Sequence, residues 1–528
     1  MNDLASPACQ PRVFAVIDIG ATSVRMMIAQ VHPDGTVSHL ENLSQAVQLG
    51  RDSFVNGKIR RSTIEDCVHV LKIYRRKLVE YEIDDPEQVR VVATSAVREA
   101  SNRLAFLDRI YIGTGFDIEP FDESQLHRVT WLGIKPLLDH HPDLARDQLV
   151  VCEVGGGSTE TLILVDGDVS LAQTWRLGAL RLIHSLDPGE PWTPESRHLM
   201  ESRIARTADQ IVSMIERSQP ARLLMMGSEM RLAASRILGR PAGSLERVPA
   251  DELHRITDEV LATSPDSLVT RFQLGIQEAE SLGPALLVNS LIARRLGVNE
   301  IFVADVNLRD GLVKEMIAGR QWIGNTEDQV IGSVTGYARK FGVDLAHAQH
   351  VSTLALELFR QTSELHQLPR RWETSLRIAA LLHESGMAIN ERSYHKHSMY
   401  IIRNTVFFGV SAHELDLIAL IARYHRRAFP QRSHEIYSRL DQDERVAVSK
   451  LAALLRVAKA LDVARNQTIQ DIHCAVRGNI LRIEVTGTPD LSLAQLELRE
   501  QQELFEYVFG LAVELTRGST ASAGTLTP

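Results

Sequence analysis

Two stretches of this chain share one pattern: an apolar run, an acid, a turn of glycine and small hydroxyl residues, a second apolar run and an Asp-Gly stop. In the first, residues 14–17 are apolar, Asp18, Gly20, Thr22 and Ser23 follow, residues 26–31 are mostly apolar, and Asp34-Gly35 ends it. In the second, residues 149–152 lead to Glu153, then Gly155, Gly156, Gly157, Ser158, Thr159 and Glu160, then residues 161–165 and Asp166-Gly167. Apolar runs bounded by such turns predict β-hairpins. Glycine permits φ > 0 and lets an anion come close to backbone N–H groups. The acid before the turn suits a cation, and the acid after it suits the orientation of a water. A plain hairpin turn is the alternative for either stretch alone. Two copies predict a duplicated two-lobed α/β fold that holds phosphate between its lobes.

Further along, residues 62–81 carry helical spacing, with Ser62 as N-cap and Glu65 completing a capping box. Residues 89–93 read as a strand entering a helix capped by Thr94 or Ser95, with Arg98 one turn in, where it could face an anion at the helix start; an ordinary capped helix is the alternative. Residues 221–226 and 301–304 read as buried strands, the former ending at Gly227-Ser228. Residues 319–470 read as helical throughout. Residues 471–515 form a small α/β segment, with a strand at 480–485 and an amphipathic helix at 497–515. The expected boundaries are a flexible tail 1–12, lobe I at 13–130, lobe II at 131–318, the helical domain at 319–470, the small domain at 471–515 and a disordered tail 516–528.

The chain has 528 residues, 44% hydrophobic and 24% charged. That length suits about three or four domains of ~150 residues, and no apolar run reaches the ~18 residues of a membrane span. No basic and apolar leader opens the chain. Cys9, Cys67, Cys152 and Cys474 form no CxxC pair, which fits a reducing cytoplasm. A net charge of −9 argues against nucleic-acid binding but leaves room for a local basic groove and a polyanion. Arg423, Arg426, Arg427 and Arg432 are one such cluster; a solvated face is the alternative.

The two glycine stretches resemble the phosphate loops of the actin-like ATPase superfamily, and more narrowly those of the exopolyphosphatase/guanosine pentaphosphate phosphohydrolase family. Residues 93–102, ATSAVREASN, match that family's ATSAxREAxN signature, which implies that Arg98 contacts phosphate. Residues 175–182, WRLGALRL, resemble its LxLGAxRL turn, and residues 301–311 its VxDxxLRDG segment. Four departures stand out. Gln125 and Leu126 occupy the places of the paired glutamates, one of them the family's general base, so Glu123, or less readily Glu119, would substitute. Glu153 replaces an aspartate. Glu229 follows Gly227-Ser228 where the family has Thr-Ser, and is expected to point away from phosphate. Glu278 stands where arginine is usual.

The resemblance implies two actin-like (ribonuclease H-like) lobes, then an all-helical HD-like domain and a small α/β domain. The expectation is a cytoplasmic, homodimeric phosphohydrolase acting on polyphosphate or guanosine penta/tetraphosphate, with no nucleic-acid or membrane partner. In it Asp18 and Glu153 would hold Mg²⁺. Gly20, Thr22, Ser23, Arg98, Gly155, Gly156, Gly157, Ser158, Thr159, Gly227 and Ser228 would bind phosphate, and Glu160 or Glu123 would activate water. A catalytically weakened binding protein and a kinase of the superfamily are the rivals. His347, His383-Glu384, His397, His425 and Asp462 fall in an order that resembles the HD phosphohydrolases, whose residues of this kind hold metal. With Glu384 in place of aspartate, the expected role is to lengthen a polyphosphate channel or to support dimerisation.

Overall fold

The computed structural model describes residues 12–184, 193–215, 220–318, 326–487 and 490–518. Its contacts divide the chain into two compact units, 1–323 and 324–528.

The first unit holds two sheets of matching topology. β1 (Arg12–Ile19), β2 (Ser23–Val31), β3 (Val37–Ala46), β4 (Val89–Ala93) and β5 (Ile118–Pro120) form a sheet ordered β3-β2-β1-β4-β5. β6 (Gln148–Val154), β7 (Thr159–Val165), β8 (Asp168–Trp175), β9 (Ala221–Met226), β10 (Leu245–Pro249) and β11 (Glu300–Ala304) form the order β10-β11-β9-β6-β7-β8. In each, three antiparallel strands come first, and a parallel pair is added beside the first strand. β10 is the one addition, antiparallel to β11. The pair of apolar runs and glycine turns that predicted two hairpins therefore marks a repeat of a whole sheet.

One face of the first sheet buries Ile17, Ile19, Met26 and Ile28 against the Arg61–Glu80 helix, which contributes Ile64, Val68, Leu71 and Leu78. Those four follow helical spacing and make one apolar stripe. The Tyr74 hydroxyl at the same interface donates to Val24 O at 2.8 Å, so its polar tip is satisfied. The N-cap of this helix is Arg60, and the expected capping box at Ser62 does not form. Glu65 instead meets Arg109 of a neighbouring helix at 2.8 Å. The second sheet buries Val150, Cys152, Leu223 and Met225 beneath the helices Pro194–Ser213, Ala250–Leu261 and Ile276–Leu296.

Helix Glu123–His140 and helix Leu308–Ala318 cover the other face of the first sheet, packing Leu126, Val129, Leu312 and Val313 onto Val16 and Val92. The two helices cross where Gly311 lies directly on the carbonyl of Val129, with no space for a Cβ.

The second unit is helical from Thr326–Lys340 to Gln442–Leu461. It ends in the strands β12 (Ile472–Arg477), β13 (Ile480–Val485) and β14 (Ala512–Arg517). The helix expected over 497–515 is broken. Helices Ser492–Gln501 and Glu503–Phe509 stop at Gly510, which has φ 68°, and Val513 and Leu515 then alternate inward as a strand. Residues 516 and 517, expected as tail, belong to β14. Residues 1–11 and 519–528 of the expected tails lie outside the described residues. Among the described residues no helix is long and apolar enough to cross a membrane.

Candidate active site

The two hairpin turns close in the same way. Gly20 N–H donates to Ser23 O at 2.9 Å and Gly155 N–H to Ser158 O at 2.8 Å. The turns also meet. A Cβ on Gly156 would lie 3.2 Å from the Ala21 methyl, and one on Gly157 would collide with the Phe54 ring and lie 2.6 Å from Ser95 Oγ. None of Gly20, Gly155, Gly156 or Gly157 adopts positive φ. That overturns the conformational reason expected for them: Gly156 and Gly157 are required by crowding, while Gly20 and Gly155 meet only the carbonyl of their own turn. A Cβ on Gly178 would strike the Gly156–Gly157 backbone.

The facing turns gather carboxylates. Asp18 and Glu153 hold equivalent positions, each at the end of the first strand of its hairpin. Asp18 is buried, and burial raises its pKa against the lowering pull of Arg309, whose Nη1 lies 3.6 Å away. Its Oδ1 is buried without a hydrogen-bond partner. Glu153 is half-buried, and burial with the charges of Glu160, Asp18 and Glu229 pushes its pKa up to about 7. An orphaned carboxylate oxygen beside a second strained carboxylate fits a hard divalent cation with oxygen ligands.

Glu160 lies across the β6–β7 ladder from Glu153. Its Oε1 accepts from Ser158 Oγ at 2.8 Å. Its Oε2 accepts from Thr174 Oγ1 and meets His127 Nε2 at 3.1 Å. Burial raises its pKa, but these donors, His127 foremost, outweigh it and hold the carboxyl below the usual range. Thr159 is turned elsewhere, its hydroxyl donating to Leu177 O at 2.5 Å.

Glu123 begins the Glu123–His140 helix. Burial raises its pKa, with Glu160 adding to the rise and Arg98 opposing it. Arg98 Nη1 donates to Phe121 O at 3.0 Å, which anchors its guanidinium beside that helix start. The two residues standing in for the family's glutamates are otherwise engaged. Gln125 completes the capping box with Asp122 and donates to Glu119 Oε1 at 2.8 Å, and Leu126 is part of the apolar core.

Gly227 has φ 108° and follows Met226, the partner of Glu153 in the parallel β6–β9 ladder. Glu229 does not turn away as expected. It accepts from Ser228 Oγ at 3.0 Å, hangs over Gly227, and its charge helps to raise the Glu153 pKa. The Ser228 hydroxyl expected for phosphate is thus committed to a carboxylate.

Four contributors escaped the sequence reading: His127, Thr174, Arg181 and Phe54. His127 is one helical turn beyond Glu123, a spacing that was visible but carried no motif. Arg181 donates to Gly157 O, binds Glu99 at 2.5 Å and lies 4.1 Å over the Phe54 ring, joining the two lobes beside the turn.

In the second unit His347, His383 and Glu384 converge, and His397 is not one of the group. Of the four arginines noted in the sequence, Arg426, Arg423 and Arg427 act together on buried His395, whose pKa burial and these charges push down to about 4.

Paired sheets of this topology, with acid-bearing hairpin turns facing one another, define an actin-like two-lobed α/β protein. Residues 27–319 match the Ppx/GppA phosphatase family and residues 331–504 match Ppx/GppA phosphatase, domain III. The chain belongs to the Ppx/GppA phosphatase family. A guanosine-5'-triphosphate,3'-diphosphate pyrophosphatase of Pseudoalteromonas atlantica is 23% identical over 477 residues, covering 88% of each chain. An exopolyphosphatase from Cytophaga hutchinsonii superposes with a TM-score of 0.54 at 20% identity, over 58% of this chain and 98% of that one. The Aquifex aeolicus family member gives 0.50 at 21% identity, over 60% and 100%.

Proposed function

We propose that the chain releases terminal phosphate from inorganic polyphosphate or guanosine pentaphosphate in the cleft between its two sheets. The observation that carries this is the meeting of the two turns, which gathers Asp18, Glu153, Glu160 and Glu123 around backbone amides and Arg98. Asp18 and Glu153 would hold Mg²⁺, supported by the orphaned Asp18 Oδ1. That ion, when bound, supplies charge neutralisation to the phosphoryl oxygens. The Gly20 and Gly155 N–H groups are spent on closing their turns, so the remaining amides of the two turns and the Arg98 guanidinium would cradle the same oxygens.

Water oxygen attacks the terminal phosphorus in line, and the bridging P–O bond breaks toward the shortened chain. The proton passes to the Glu123 carboxylate, whose raised pKa suits a general base. Glu160, with both oxygens already accepting hydrogen bonds and its pKa held down, suits orientation of the water rather than its deprotonation. The sheet relatives support the substrate class, since one is named for a guanosine polyphosphate and another for polyphosphate.

A regulatory protein that binds the same molecules with little hydrolysis is the second reading. It is favoured by the commitment of Gln125 and Leu126 to a cap and a core, and of Ser228 to Glu229. Phosphate release from polyphosphate and guanosine pentaphosphate with Mg²⁺, beside a binding isotherm, separates the two. Release supports hydrolysis; tight binding without release supports the regulator. The helical unit is read as HD-like, on the convergence of His347, His383 and Glu384. A cytoplasmic homodimer completes the proposal, in keeping with free thiols at Cys67, Cys152 and Cys474, and sedimentation velocity tests the dimer.

A further inference from the structure

His127 is fully buried, and only one of its ring nitrogens has polar partners. It stands on helix Glu123–His140, four positions after Glu123 and so on the same face of that helix. Its Nε2 is 3.1 Å from Glu160 Oε2 and 3.0 Å from Thr174 Oγ1. Thr174 lies opposite Glu160 in the β7–β8 ladder and donates its hydroxyl proton to the same Oε2. A carboxylate oxygen only accepts, and the Thr174 proton is already given to it. Nε2 therefore carries the ring hydrogen and donates.

The donors on Glu160 can be counted. An ionised carboxylate offers about four acceptor sites, two on each oxygen. Oε2 takes Thr174 and His127, which fills it. Oε1 takes Ser158 Oγ at 2.8 Å and keeps one site open. Rotating the carboxylate out of this plane would strand all three donors, so the open site stays on Oε1.

We propose that His127 is a positioning residue: with Thr174 it saturates Glu160 Oε2 and leaves Oε1 as the one oxygen that receives the attacking water. This rests on the hydrolytic reading of the cleft. The same clamp sets the separation of the two carboxylates that act on that water, because His127 shares a helix with Glu123 and grips Glu160 of the second sheet. Neither Gln125, held in the helix cap, nor Leu126, held in the core, is placed to do this.

A histidine kept for packing alone fits the ring poorly. Its Nδ1 is buried without a hydrogen-bond partner among the described residues. An unmet buried nitrogen costs stability that an apolar side chain at the same place would not. What the imidazole supplies against that cost is one directed N–H on Glu160.

The test compares His127→Leu, His127→Asn and His127→Gln in the full chain, with saturating Mg²⁺ and polyphosphate as substrate. A glutamine amide nitrogen stands three bonds from Cβ, as Nε2 does, and an asparagine nitrogen only two. His127→Leu and His127→Asn should lower kcat by about 100-fold, the cost of a misplacement of about 1 Å, with KM little changed. His127→Gln should recover most of that loss. Thr174→Val should act in the same direction, and its effect combined with His127→Leu should fall well short of the product of the two, since both act through one oxygen. Wild-type kcat in His127→Leu, or no recovery in His127→Gln, overturns the proposal.

Crystal structures of the wild type and His127→Leu read the clamp without turnover. The Glu160 carboxylate should leave its place between Ser158 and Thr174 in the variant, and an unmoved carboxylate overturns the proposal. Absence of phosphate release by the wild type instead strikes the hydrolytic reading, while the carboxylate position still decides the clamp. If His127→Leu does not fold, Thr174→Val takes its place in both measurements.

Discussion

The two hairpins share a backbone and differ in charge. Their turns close on the same hydrogen bond, and seven positions separate Asp18 from Arg25 as they separate Glu153 from Glu160. Yet the partner across the ladder is arginine in one and glutamate in the other. Asp18 thus sits beside cations, Arg25 and Arg309, whereas Glu153 sits beside further acids and carries a much raised pKa. A duplicated scaffold has been divided into a side that balances charge and a side that concentrates negative charge. The crowding is divided as well. A Cβ on Gly20 would meet only Ser23 O at 3.3 Å, while one on Gly157 would collide with Phe54 and Ser95.

That contrast can be broken in order of effect. Glu160→Ala should abolish phosphate release while leaving binding of a polyphosphate probe nearly unchanged; wild-type turnover would remove Glu160 from the mechanism. Glu123→Gln should lower kcat by about 10²–10⁴-fold, the usual contribution of a general base, with little change in KM, measured under saturating Mg²⁺. Gly157→Ala should destabilise the first unit by about 1–3 kcal/mol through overpacking. Gly20→Ala should have a clearly smaller effect on the same thermal melt, and equal losses would deny the asymmetry.

The smallest effect concerns Glu153. Its folded pKa, about 7, lies above its ordinary 4.5, so the folded chain binds the extra proton between those values. Its contribution to stability is therefore present below pH 4.5 and is lost as pH rises through 7. Glu153→Gln should flatten that part of the dependence of Tm on pH, and a Tm profile indifferent to the substitution would count against the raised carboxylate.

Much of the fold was legible because short apolar or alternating runs ended at turn or cap residues, so that β4, β9 and β13 fall on the residues the pattern marked. The helix proposed over 497–515 failed because its amphipathic stripe continued past Gly510 into a strand whose alternation was too short to register. In the site, acids before and after turns were readable from spacing. His127, Thr174 and Phe54 were not, since each reaches the site from an element placed there only by tertiary packing. The role of glycine was mistaken for the same reason: what forbids a side chain at Gly157 is Phe54, which is remote in sequence.

Where Gly311 rests on the Val129 carbonyl, main chain bears on main chain with nothing compressible between. Such a point fixes how closely the two helices approach over the first sheet. A methyl group there would wedge the crossing helices apart, shifting Glu123, two turns upstream on the same rod, away from its fellow acids without touching any of them.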